Sequence, residues 1–93
     1  MVTDVYIVYN DPSFVRKFGG TYTLKVVSPY FHFINEDSAK GRKEAFSLKG
    51  QWGARKTPFA ICFDGDKALK AFYSEVDDDI VKSLINYINE VQD

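Results

Sequence analysis

The residues of this chain that could carry covalent chemistry are Cys62, the single histidine His32, and Ser13. Cys62 could act as a monothiol nucleophile or redox sensor, but it lies in the apolar run 59–63, where burial raises a thiol's pKa and suppresses its reactivity. Ser13 would need a general base within reach, and His32 sits between two phenylalanines of a predicted strand. One histidine and one cysteine without spaced partners predict no metal site.

The acidic residues have simpler explanations than catalysis. Asp77, Asp78 and Asp79 could form a metal or acid–base site, but they directly precede a helical pattern, and a helix N-terminus favours negative charge. Asp64 and Asp66 flank a glycine in a predicted turn. We therefore expect these carboxylates to be structural.

A hairpin over residues 59–73 is the clearest element. The continuous apolar run 59–63 predicts a strand that is covered on both faces. Asp64-Gly65 between two apolar runs is a strong hairpin signal, and the second strand, up to Tyr73, carries Lys67 and Lys70, as edge strands do.

The preceding part of the chain predicts β-α-β-α before this hairpin. A first strand over 5–9 is followed by a helix that Asp11 caps and Pro12 begins. A second strand covers Tyr30–Asn35. Glu36-Asp37-Ser38 ends this strand and offers a cap for the next helix, which is expected over about Ala39–Lys49 with Gly50 just past its end. Part of the inward face of this helix is expected to consist of Ala45, Phe46 and Leu48. The segment between Thr21 and Ser28 remains open as a strand, a loop or a helical turn.

The last helix has the most regular pattern. Val81, Leu84, Ile85 and Ile88 follow the spacing i, i+3, i+4, i+7, which gives one apolar stripe. Ile80 and Val91 widen that stripe. The predicted order is therefore β-α-β-α-β-β-α.

The segment Trp52-Gly53-Ala54-Arg55-Lys56-Thr57-Pro58-Phe59 resembles the thioredoxin family, in which an aromatic-Gly pair ends a helix and a Thr-Pro pair precedes the buried strand. The resemblance implies a single α/β domain over residues 1–93, with a mixed four-stranded sheet and helices on both faces. It also implies that Pro58 is cis. An ordinary trans proline at the start of a strand is the alternative.

The family's redox chemistry is missing. Its C-x-x-C motif lies between the first strand and the first helix, and the resemblance places the two cysteine positions at Pro12 and Val15. We therefore expect a redox-inactive protein- or peptide-binding module rather than an enzyme. In the family, partner peptides pair with the backbone of the residue before the proline, here Thr57. The candidate binding face consists of Pro12, Ser13, Phe14, Trp52, Arg55, Lys56, Thr57 and Pro58, although Trp52 could instead pack over the sheet.

Two other functions remain open. One is a thiol- or glutathione-dependent oxidoreductase that uses Cys62. The other is a nucleic-acid-binding or assembly protein, which a net charge of −1 does not favour. The sequence predicts no cofactor, no membrane span and no signal peptide. A single cysteine favours a reducing compartment such as the cytoplasm.

Overall fold

The predicted element order is confirmed in the computed structural model, which describes residues 1–19, 28–76 and 79–92. Residues 20–27, which include all but the last residue of the segment Thr21–Ser28 that was left open, lie outside the described residues, as do Asp77, Asp78 and Asp93. The elements, numbered in chain order, are strand β1 (Asp4–Tyr9), helix α1 (Pro12–Arg16) with a 3-10 turn (Lys17–Gly19), β2 (Tyr30–Asn35), α2 (Ala39–Trp52), β3 (Phe59–Asp64), β4 (Lys67–Tyr73) and α3 (Ile80–Gln92).

The four strands form one mixed sheet in the order β2-β1-β3-β4. β1 pairs in parallel with β2, in a register that sets Asp4 opposite Tyr30. β1 pairs antiparallel with β3, and β3 antiparallel with β4. The end of β1, the start of β3 and the end of β4 therefore lie at the same end of the sheet, where Val8 faces Phe59 and Phe59 faces Tyr73.

Helices cover both faces of the sheet, as predicted. On one face, Val5, Ala60 and Cys62 pack with Phe14 of α1 and with the buried stripe of α3. On the other face, Phe59 and Ile61 pack with residues of α2. This alternation explains why the run 59–63 is apolar at successive positions, since each face of β3 lies against a separate core.

The apolar stripe of α3 is confirmed. Val81, Leu84, Ile85 and Ile88 are each at most 4% exposed. Val91, expected to widen the stripe, is 38% exposed instead, and the next residue, Gln92, makes the contact with Val2. Asp79 caps this helix, since its Oδ1 accepts a hydrogen bond of 3.2 Å from the backbone N–H of Lys82.

Two predictions about α2 were wrong. The helix continues past Gly50 to Trp52, and Gly53 ends it in the left-handed conformation with a φ of 68°. Phe46 is 82% exposed rather than inward. The residues of α2 that pack on the sheet are Gly41, Ala45, Leu48 and Trp52, which follow the spacing i, i+4, i+7, i+11. Phe46 is therefore turned away by the helical period.

Gly41 is where the N-terminus of α2 meets the end of β2. Its backbone N–H donates a 2.8 Å hydrogen bond to Oγ of Ser38, the N-cap residue. A Cβ atom at this position would overlap the carbonyl oxygen of Asn35 and lie 2.8 Å from Ser38 Oγ. The absence of a side chain allows the helix start to approach the strand this closely.

A polar network joins β1 and β2 at the other end of the sheet. His32 Nε2 lies 2.9 Å from Asp4 Oδ1, and the His32 ring stacks on Tyr6 with centroids 4.2 Å apart. Thr3 Oγ1 donates to Asp4 Oδ2 at 2.8 Å. The hydrogen bond to His32, the largest cause, and the one from Thr3 lower the pKa of Asp4 below its ordinary value of 3.8.

This network predicts a pH-dependent contribution to stability. Because the pKa of Asp4 is lower in the folded than in the unfolded state, the ionised carboxylate stabilises the fold above pH 3.8, and this contribution is lost as the pH falls through the folded-state pKa. We expect Asp4→Asn to lower the free energy of unfolding near neutral pH, and the difference from the wild type to shrink in acid. Urea titrations over a pH series measure this. Asp66→Asn, in the exposed β3–β4 turn, is the control, and a difference for Asp4→Asn that is independent of pH would contradict the prediction.

Two hydrogen bonds join Val2, near the beginning of the described chain, to Gln92, near its end. Gln92 Oε1 accepts a hydrogen bond from the Val2 backbone N–H, and its Nε2 donates to the Val2 carbonyl oxygen, both at 2.9 Å. Among the described residues, no helix is both long enough and apolar enough to cross a membrane.

Candidate functional site

A cleft of about 410 Å³ opens at the end of the sheet where β1 ends and β3 begins. It is lined by Ser13, Phe14 and Pro58 of the candidate binding face and by Asn10 and Asp11, which directly precede Pro12. The other five lining residues, which were not expected at this face, are Tyr9, Lys17, Ser74, Asp79 and Ile80. The sheet topology could have identified Ser74, because the residue after β4 must lie beside the start of β3.

The first wall of the cleft is the beginning of α1. Asp11 is the N-cap residue, and its Oδ1 accepts a 3.0 Å hydrogen bond from the Ser13 backbone N–H. This hydrogen bond, more than the nearby charges of Arg16 and Lys17, lowers the pKa of Asp11. Phe14, the next residue, is 8% exposed and anchors the short helix in the core. The cap and the anchor together fix Ser13 at the edge of the cleft.

Pro58 also lines the cleft, at the end of the loop 53–58 that leads from α2 into β3. The Thr57–Pro58 peptide bond is cis, the isomer that the thioredoxin resemblance implies. Three side chains hold this loop. Tyr73 donates its hydroxyl to the Trp52 carbonyl oxygen at 2.6 Å. Glu75 Oε1 accepts from the Arg55 backbone N–H at 3.2 Å. Thr57 Oγ1 donates to Glu36 Oε1 at 3.3 Å.

Glu36 connects this loop to α2. Its second oxygen, Oε2, lies 2.7 Å from Lys49 Nζ, so one carboxylate links the end of β2, α2 and Thr57. In contrast to the Thr57 side chain, the Thr57 backbone N–H and carbonyl oxygen make no backbone hydrogen bond within the described part of the chain. They remain available for an extended segment lying beside the loop.

The remaining candidate residues are distributed over separate surfaces. Trp52 and Arg55 line an adjoining open depression together with Gly53, Tyr73, Glu75 and Val76. The Trp52 ring also packs edge-on against Phe63, with centroids 6.1 Å apart, on the α2 face of the sheet. Pro12 and Lys56 are exposed, and neither lines the cleft. Ser13, Phe14 and Pro58 are the candidates that the cleft brings together.

The cleft combines apolar side chains with polar groups. Phe14, Pro58 and Ile80 supply the apolar part, and Asp11, Lys17 and Asp79 supply charges of both signs. Ser74 Oγ in the wall is buried and has no hydrogen-bond partner among the described residues. An arrangement of this kind can hold a polypeptide segment by apolar contact and hydrogen bonds.

Neither Cys62 nor His32 lines this cleft. Cys62 is 0% exposed and packs in the core between the sheet and α3. Burial raises the pKa of its thiol to about 12. In residues 1–19, 28–76 and 79–92, no cluster of three or more His, Cys, Asp or Glu side chains is arranged to hold a metal ion.

Comparisons of the chain with protein-family models, with curated proteins and with solved structures found no match.

Proposed function

We propose that this domain is a redox-inactive, thioredoxin-like module that binds an extended polypeptide segment in the cleft between α1 and Pro58. The observation that carries the proposal is the combination of an open cleft of about 410 Å³ with the backbone of Thr57, directly before Pro58, which makes no backbone hydrogen bond within the described residues. An extended segment can form main-chain hydrogen bonds with such a residue, as strands do when they add to a sheet.

The contacts of the loop support this proposal. Thr57 is oriented by Glu36 and Lys49 through its side chain, which leaves its backbone free in the described residues. Affinity for a segment is greater when the receiving groups are held in place before binding. The cleft supplies a partly apolar surface beside Thr57, where one side chain of the segment can be buried.

A thiol-dependent activity has no comparable support. The thiolate is the nucleophilic form of cysteine, and the burial of Cys62 disfavours that form. A lone buried thiol also fits the reducing conditions of the cytoplasm, the compartment in which we place the domain.

Substitution within the cleft tests the proposal. Peptides selected for binding from a displayed random library are titrated against the wild type and against Ser13→Trp, which adds a large side chain to the wall. We expect Ser13→Trp to weaken binding at least about tenfold, because the added ring would block the cleft, and loss of a central hot-spot contact costs about 2 kcal/mol or more. Ser47→Trp, at an exposed position of α2, is the matched control and should leave binding unchanged.

Arg55→Ala distinguishes the two neighbouring depressions. Arg55 lines the open depression beside Trp52 and does not line the cleft. Binding that resists Ser13→Trp but is lost in Arg55→Ala would contradict the cleft as the site. Reduction of insulin by the protein, or a rapidly formed adduct with glutathione, would contradict the redox-inactive function itself.

A further inference from the structure

The outer face of α2 carries an apolar side chain that does not pack in either core. Phe46 is 82% exposed. Its neighbours on the helix surface, three or four residues away, are Arg42, Lys43, Lys49 and Gly50. A Cβ atom added to Gly50 would meet no atom within 4 Å, so the surface beside Phe46 is open. We call Arg42, Lys43, Phe46 and Lys49 the α2 patch.

The charges of the α2 patch are incompletely neutralised. Lys49 pairs with Glu36 at 2.7 Å. Arg42 and Lys43 are exposed, and neither forms an ion pair with any residue that the structure describes. Two exposed cations therefore remain one helical turn before the exposed ring.

The near-zero net charge of the chain conceals a strong separation of charge. Residues 39–56 contain six basic side chains and one acidic one, whereas the rest of the chain contains six basic and twelve acidic ones. The α2 patch lies in this basic segment. Its exposed Arg42 and Lys43 attract and orient an acidic partner.

We propose that the α2 patch binds an acidic segment of a partner protein, with carboxylates paired to Arg42 and Lys43 and one apolar side chain packed on Phe46. Arginine pairs well with carboxylates because its guanidinium can donate two parallel hydrogen bonds. A shallow depression of about 170 Å³, lined by Glu36, Arg42, Ala45, Phe46 and Lys49, can take the apolar side chain.

The patch fits a protein segment better than the other anionic partners. Single-stranded nucleic acid is usually held along a groove that follows about 4–16 nucleotides, whereas the α2 patch offers one aromatic ring. Anionic membranes are usually bound by clusters of about four to eight basic residues, and the strongly acidic remainder of the chain would be repelled from such a surface.

This surface is separate from the proposed peptide cleft. α2 packs on the opposite face of the sheet from α1, and no residue of the α2 patch lines the cleft. The two surfaces are linked through Lys49 and Glu36, which hold Thr57, but they do not overlap, so the domain can hold two partners at once.

A titration followed by two-dimensional amide NMR tests this inference. The probe is a short synthetic peptide in which aspartates and glutamates flank one leucine. We expect shifts of the amides of the α2 patch, and binding about tenfold weaker in Phe46→Ala, as for the loss of a central apolar contact. The double variant Arg42→Glu/Lys43→Glu should weaken binding of the peptide more than tenfold, because its new carboxylates repel those of the peptide.

Matched variants control for nonspecific effects. Val76→Ala removes another apolar side chain, 80% exposed, and Lys67→Glu/Lys82→Glu reverses two charges outside the patch. Both should bind the probe like the wild type. Because all the substituted residues are exposed, we expect every variant to have the urea midpoint of the wild type. Equal midpoints would verify that the variants are folded.

Three outcomes would overturn the inference: no amide shift in the α2 patch, equal affinity in the patch variants and their controls, or tighter binding of oligodeoxythymidine or phosphatidylserine vesicles to the patch than of the acidic peptide.

Discussion

In the native protein, Cys62 is expected to react with iodoacetamide near neutral pH about a thousandfold more slowly than in the protein unfolded in urea. The thiolate is the reacting form, and burial raises the pKa of Cys62 from 9.0 to about 12. A pKa difference of this size lowers the thiolate fraction near neutral pH about a thousandfold. The side chain is also 0% exposed, so the reagent can reach the thiol only when the protein opens locally or unfolds.

Mass spectrometry of samples quenched over time measures both rates, and a Cys62→Ser variant corrects for modification at other residues. A native rate within about tenfold of the unfolded rate would mean that the thiol is accessible and ionisable. That result would restore the oxidoreductase hypothesis, which the geometry around Cys62 does not support.

Gly41→Ala is expected to destabilise the protein by about 1–3 kcal/mol net, although alanine is the better helix former. Helix propensity alone predicts a gain of about 1 kcal/mol from this substitution. The new Cβ atom would overlap the Asn35 carbonyl oxygen and crowd Ser38 Oγ. Overpacking typically costs about 1–3 kcal/mol, and displacing the N-cap serine costs about 1 kcal/mol more.

Gly50→Ala is the matched control in the same helix. A Cβ atom there meets nothing, so only propensity acts, and we expect a gain of about 0.5–1 kcal/mol. Urea titrations of the two variants and the wild type compare the free energies of unfolding. If both substitutions stabilised the protein, the close approach of α2 to β2 would be refuted.

These two glycines show what the sequence could and could not determine. Period and composition identified α2, because helical spacing and the Ser38 cap are local signals. They could not distinguish a glycine that ends a helix from one inside it. Gly50 had the expected position for an end, but Gly53 has the positive φ that ends the helix. The need for Gly41 depends on Asn35 in another element, and no local pattern shows such a contact.

The direction of Phe46 was missed for a similar reason. α2 has few large apolar residues, and its inward stripe begins at Gly41, which a search for apolar side chains overlooks. α3 was predicted well because Leu84, Ile85 and Ile88 mark its buried face without ambiguity. β3 and β4 were predicted well because Asp64-Gly65 fixes the hairpin turn.

The candidate site was predicted in part. Ser13, Phe14 and Pro58 line one cleft because the end of β1 and the start of β3 are neighbours in the sheet. Trp52 and Arg55 are close to Pro58 in sequence, but they line the adjoining depression. These residues were predicted to share one surface because they are close in sequence, but the path of the loop 53–58 places them on two surfaces.

The pair of hydrogen bonds between Gln92 and Val2 has a consequence for the connectivity of the fold. Since these residues already touch, a short linker across them would form a closed ring of peptide with little rearrangement. The ring could then be cut at the exposed turn 65–66 to make a circularly permuted version with the same sheet. We therefore expect the strands to take the same order in the sheet even when their order along the chain is changed.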